Sequence, residues 1–215
     1  MTHPRHRPTI AAVLTAVALM TGCRNDGGAE PLSLSGLVDI ADGIPDDGTD
    51  TCPLPYDMAE AVKAAGLDAE AGTGPAQDGD EPVATAEGGK RAKPGDPLAE
   101  NPGALVSCTF HIGEEDVRVH TLAGREPIGI APLAPVASSL SAASTDDLTG
   151  YVDEVGRAEI GEVVVTDSGN VASVRLRLDG DGYATLLVGA GNAGHTSLTR
   201  KHMGDLTEAL AEQVR

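Results

Sequence analysis

The chain has almost no aromatic side chains. Phe110, Tyr56, Tyr151 and Tyr183 make up 2% of 215 residues, and there is no tryptophan. Sugars and single-stranded nucleic acids are held by stacked rings, so both ligand classes are disfavoured. Positive charge is also scarce. There are 15 Lys and Arg against 33 Asp and Glu, a formal net charge of -18. A field of that sign repels nucleic acid and anionic lipid headgroups, so no nucleic-acid partner is expected and a basic membrane-binding surface is excluded. Solubility outside the cell explains the charge more simply than a specific cationic partner does. Catalytic strings are missing too: the sequence has no Gly-x-Ser-x-Gly, no His-Glu-x-x-His and no Walker loop. Cysteine occurs 3 times, with no Cys-x-x-Cys and no histidine at ligand spacing beside Cys52 or Cys108. No metal and no cofactor are therefore expected.

What is present begins at the N-terminus. A basic stretch, His3-Pro4-Arg5-His6-Arg7, runs into an apolar segment from Ile10 to Met20, and small residues follow. Charge, then an apolar run too short to span a bilayer, then small residues is the order of a secretory signal peptide, here residues 1–22. The end, Met20-Thr21-Gly22-Cys23, resembles the lipobox of bacterial lipoproteins, with Met20 standing where leucine is usual. That resemblance implies cleavage before Cys23, a diacylglycerol on its sulfur, and a protein anchored on the outer face of the cell membrane by its lipid. Ordinary cleavage after Ala16-Val17-Ala18 also fits the small-x-small rule and would leave Cys23 a free thiol. Giving Cys23 to lipid leaves Cys52 and Cys108 as an even pair in an exported protein, and a disulfide between them is expected. It would close a loop of about 57 residues, worth roughly 4 kcal/mol in the chain-entropy model. Loss of Arg5 and Arg7 with the leader takes the net charge from -18 to about -20. Rich Ala, Gly and Asp with few Lys resembles the composition of actinobacterial proteins.

Residues 23–51 are rich in Gly, Asp, Pro and Ser and read as a flexible tether. About 28 such residues span roughly 30 Å on average. Leu32-Ser33-Leu34-Ser35-Gly36-Leu37-Val38 is the one apolar stretch within it, and docking as a strand is the alternative there. The folded domain is expected at 52–215. A helix is predicted over 55–65, where Met58, Ala61, Val62 and Ala65 share one face. Residues 68–102 hold Gly, Pro, Asp, Glu and Ala, with a lone basic patch at Lys90–Lys93, and read as a disordered insert. Alternation then predicts a hairpin, Val106–Ile112 and Val117–Thr121, joined by Gly113-Glu114-Glu115-Asp116. Pairing Ile112 with Val117 sets Phe110 opposite Val119 and His111 opposite Arg118. A short helix is predicted over 134–143, and Thr145-Asp146-Asp147 reads as a cap or turn before Leu148 and Tyr151. A meander over 160–166, 171–178 and 183–190 precedes an amphipathic helix at 199–214, capped by Thr196, Ser197 or Thr199. The sum is an α+β domain: a single antiparallel sheet of about five strands with helices packed on one face.

Cys52 ahead of a helix, a long loop, then Val106-Ser107-Cys108-Thr109-Phe110 resembles secreted two-cysteine actinobacterial lipoproteins of unassigned function. The resemblance implies a fold type and carries no active residues. Gly189-Ala190-Gly191-Asn192-Ala193-Gly194 matches a dinucleotide-binding string on paper, but its strand belongs to an antiparallel meander, so it reads as a loop. Asp179-Gly180-Asp181-Gly182 lacks the third ligand and closing glutamate of a calcium loop and reads as a turn. One constellation remains. His111 and His120 fall on one outward sheet face near Arg118, with Arg175 and Arg177 on the meander. This is a candidate face for an anionic ligand, or for a metal through the histidines; the plain alternative is a solvated surface paired with surplus carboxylates. The expected function is a lipid-anchored, non-catalytic binding or accessory module of the cell envelope, meeting an envelope protein or anionic ligand. A hydrolase with an unrecognised site and a purely structural envelope subunit are the alternatives.

Overall fold

The computed structural model describes residues 31–45, 48–73, 84–86, 103–127 and 129–215. The leader, Cys23 and the Lys90–Lys93 patch lie outside the described residues. Among the described residues seven strands form one antiparallel sheet: β1 (Ala71–Thr73), β2 (Ala84–Ala86), β3 (Gly103–Ile112), β4 (Glu115–Gly124), β5 (Val163–Val165), β6 (Val171–Leu176) and β7 (Tyr183–Ala190). Their order is β1-β3-β4-β7-β6-β5, with β2 also pairing β3. Among the described residues the helices are α1 (Leu34–Gly43), α2 (Met58–Ala64), α3 (Ala134–Ser141), α4 (Thr145–Arg157) and α5 (Arg200–Glu212), with a 3-10 turn at Ala131–Leu133. The architecture is α+β with a single antiparallel sheet, as the sequence pattern predicts. No described helix is long and apolar enough to cross a membrane.

The hairpin register differs from the expected one by two residues. Ile112 pairs with Glu115, Phe110 with Val117 and Cys108 with Val119. The turn is the two-residue Gly113-Glu114, because Gly113 takes the left-handed φ of 60° that a tight hairpin turn needs at its first position. A shift by an even number leaves every side chain on its expected face. Val106, Cys108, Phe110, Val117 and Val119 therefore still share one face, with Val174, Leu176, Leu186 and Val188.

Helices cover both faces, not one. On the first face α1, α2 and α5 bury Leu37, Met58, Met203, Leu206 and Leu210 against the residues just named. On the second, the 3-10 turn, α3 and α4 bury Leu133, Leu140, Tyr151 and Val155 against Leu122, Val171 and Leu187. The central strand β7 is consequently buried at every position from Tyr183 to Ala190. A strand covered on both sides loses its polar alternation and reads as a continuous apolar run.

Two segments expected to lack structure carry elements of the fold. Residues 34–43, placed in the tether at sequence level, form α1. Ser33 caps it by accepting from Gly36 N at 3.0 Å, and Leu37 and Ala41 are fully buried. The domain thus begins by Leu32, not Cys52. Within the 68–102 insert, Ala71–Thr73 and Ala84–Ala86 pair with the two ends of β3. The segment after Ser144 is a thirteen-residue helix, α4, not a turn. Ser144 Oγ accepts from Asp147 N, Asp146 and Asp147 sit in the positive first turn, and Arg157 lies in the last. Thr199 is the residue that caps α5, accepting from His202 N. Cys52 and Cys108 form a disulfide with their Cα atoms 5.3 Å apart, tying the approach to α2 onto the middle of β3.

Candidate functional site

The second face of β3 and β4 carries the polar residues singled out in the sequence. Side by side across this pair stand Ser107 and His120, Thr109 and Arg118, and His111 and Asp116. α3 and α4 lie over β7, β6 and β5, so Ser107, Thr109, His111 and Arg118 are half-exposed. His120 is not. It is 7% exposed, and its row continues into Leu187 on β7. Ser107 Oγ lies 2.6 Å from His120 Nδ1, while Nε2 is buried without a partner among the described residues. Burial pushes the imidazole down to about 4, helped by the nearby Arg118 guanidinium. At neutral pH His120 is therefore an uncharged ring and adds nothing to an anion-binding surface.

Arg175 and Arg177 do not join this patch. Arg175 on β6 stands opposite Thr185, and Thr185 opposite Leu122. That places it two strands from β4 and four residues along from Arg118, roughly 17 Å away at ordinary strand spacings. α3 intervenes, with Leu140 seated where a Cβ on Gly189 would stand. Arg175 Nη1 donates to the carbonyl of Ala158 at 2.8 Å, the C-cap of α4, where a cation complements the helix dipole. Arg177 is exposed beyond the end of β6. Of the five residues, His111 and Arg118 share an accessible surface. His111 Nδ1–H donates to Thr73 O at 3.0 Å, which fixes the ring against β1.

The second face also holds polar groups that the sequence did not single out. Tyr151 donates from α4 to Ser173 Oγ at 2.5 Å, and burial raises the Tyr151 hydroxyl pKa well above its ordinary range. Tyr183 Oη and Thr185 Oγ1 on β7 are buried without partners among the described residues, and Tyr183 is pushed up to about 12. Tyr183 lies over Gly124, whose position has no room for a side chain. Ser107 escaped notice because the four-residue turn sets Thr109, not Ser107, opposite His120. Nothing local marks Tyr151 and Ser173 as partners, since their contact depends on where α4 lands.

Gly189 and Ala190 of the dinucleotide-like string close β7, the residues from Gly191 to Gly194 form the loop beyond it, and two of the string's glycines have structural reasons. Gly189 makes room for Leu140. Gly191, at φ 73°, passes against the Glu115 carboxylate and the His195 carbonyl. Asn170 ties the segment down, donating to the carbonyls of Leu140, Ala190 and Asn192. Elsewhere there are shallow open grooves. One of about 380 Å³ is lined by Glu154, Arg157 and Glu162, and one of about 400 Å³ by Leu34, Val38, Asp39, Arg125, Asp179 and Asp181. No group of three or more potential metal-ligating side chains forms among the described residues. Comparison with family models, curated proteins and solved structures finds no match to this chain.

Proposed function

We propose that the chain is a lipid-anchored extracytoplasmic lipoprotein, acting as a non-catalytic binding or accessory module of the cell envelope. One observation carries the reading: a basic, then apolar, then small-residue leader ends at Gly22-Cys23. The Cys52–Cys108 disulfide supports it, because those two of the three cysteines are taken up by each other, as a lipidated Cys23 requires. The half-exposed Thr109, His111 and Arg118 patch is the surface offered to an anionic partner. The test is fractionation of the native host followed by mass measurement of the N-terminal peptide. The expected result is a peptide beginning at Cys23 with a diacylglycerol mass, lost with Cys23→Ala, which moves the protein to the soluble fraction. An intact leader, or a free Cys23 thiol in a soluble protein, would overturn the reading.

A second reading, an envelope-acting hydrolase, has the 2.6 Å Ser107–His120 pair in its favour. A nucleophile activated by a neighbouring base has that geometry. No carboxylate among the described residues orients the ring. A fluorophosphonate probe separates the two: labelling of Ser107, abolished by His120→Gln, would establish the hydrolase, and an unlabelled folded protein supports the binding module.

A further inference from the structure

Granted the anchor at Cys23 proposed above, we infer that one end of the sheet is held towards the membrane and the other is presented away from it. The near end bears Ser33 and the Asp179–Gly182 turn; the far end is the Gly113–Glu114 turn.

Two observations decide it. First, the ordered domain begins almost at the anchor. Asp179 N donates to Leu32 O at 2.7 Å, and Ser33 bridges to Asp179, so the chain joins the sheet beyond the end of β6 at Leu176. Leu32 follows Cys23 by nine residues, and nine residues reach at most about 32 Å whatever their conformation. Second, the sheet is longer than that reach. β3 and β4 are each ten residues, nine rises or about 31 Å, and the Gly113–Glu114 turn at one end and the step from Leu176 on to Asp179 beside Leu32 at the other carry the length past that reach. Turning the domain over would lift Leu32 at least the length of the sheet above the headgroups, beyond what the connecting chain can span. A tether running to residue 51 would have imposed no such limit. The docking of α1 removes that freedom.

The near end mixes exposed Asp39, Asp179 and Asp181 with exposed Arg125 and Arg177. A surface of mixed sign offers no basic patch for an anionic bilayer, so the covalent anchor and not adhesion sets the orientation. The surface at the opposite end, around Glu114, is the one an envelope partner meets first.

The test uses full-length acylated protein isolated from its host and reconstituted in vesicles of phosphatidylethanolamine and phosphatidylglycerol. Fluorophores are placed singly on Asp181→Cys and Glu114→Cys, and quenching by a headgroup-labelled lipid is read. The expected result is several-fold stronger quenching at position 181. Inserting about twenty Gly and Ser residues ahead of Pro31 lengthens the reach past the sheet and should erase the difference. Equal quenching, or stronger quenching at 114, on protein whose N-terminal peptide carries the diacylglycerol overturns the orientation and leaves the anchor standing. A peptide without that mass overturns both.

Discussion

His120 shows what burial does to one side chain. In an unfolded chain its imidazole takes up a proton near pH 6.5; in the fold, desolvation and Arg118 lower that to about 4. The sign follows directly. Above pH 6.5 both states are neutral there and the native state keeps its full stability. Between pH 6.5 and 4 the unfolded chain binds the proton and the folded one does not, so stability falls as pH falls. The loss is on the order of 3 kcal/mol, from the two values. His120→Gln removes the titration. Urea denaturation across this range should show wild type losing stability relative to that variant on acidification, while parallel curves would mean that His120 protonates in place. The pairing with Ser107 was hidden from the sequence because a two-residue change of register decides which residue stands opposite. The face on which His120 lies was legible, because alternation is local.

At the scale of elements, α1 and α4 carry the lesson. Leu34, Leu37, Val38 and Ala41 recur with helical spacing, but Gly36 and the surrounding Gly and Asp made the stretch look like a tether. Its helix is stabilised by the sheet it covers, since isolated ten-residue helices are marginal in water. Leu37→Ala should therefore lower stability by about 2–5 kcal/mol, read by chemical denaturation, where the same change in a solvated tether would be silent. α4 has clearer signals: Ser144, Asp146, Asp147, and the run Leu148, Tyr151, Val152, Val155. The glycines at 150 and 156 weakened that pattern without breaking it. Gly189 belongs to this scale as well, because α3 reaches the sheet through Leu140 there. A methyl at that position would stand 2.6 Å from Leu140 Cδ1. Gly189→Ala should cost about 1–3 kcal/mol, with the shift in thermal midpoint as the measure.

For the whole molecule, the disulfide and the three layers matter most. The bridge joins residues 56 apart, across a segment whose described elements up to β3 are α2 and the short strands β1 and β2. Reduction, or Cys52→Ser with Cys108→Ser, should lower the unfolding free energy by roughly 4 kcal/mol. An unchanged denaturation midpoint under reducing conditions would show that packing alone holds α2 to β3. The third layer had a signature in Tyr183-Ala184-Thr185-Leu186-Leu187-Val188-Gly189-Ala190, which lacks the alternation of a half-solvated strand. That run announces a strand covered twice, and it was legible in principle.

The sequence by itself determined what depends on near neighbours. Alternation sorted the strand residues between two faces, and caps and spacing placed the C-terminal helix. Only the tertiary structure decided what depends on distant ones. Strand order separates Arg118 from Arg175, α3 fills the space between them, and the sheet draws Leu32–Ile44 into the core. A residue's face follows from the two-residue period of its own strand. Its company follows from which strands pair and which helices cover them, and those choices are made by segments far away along the chain.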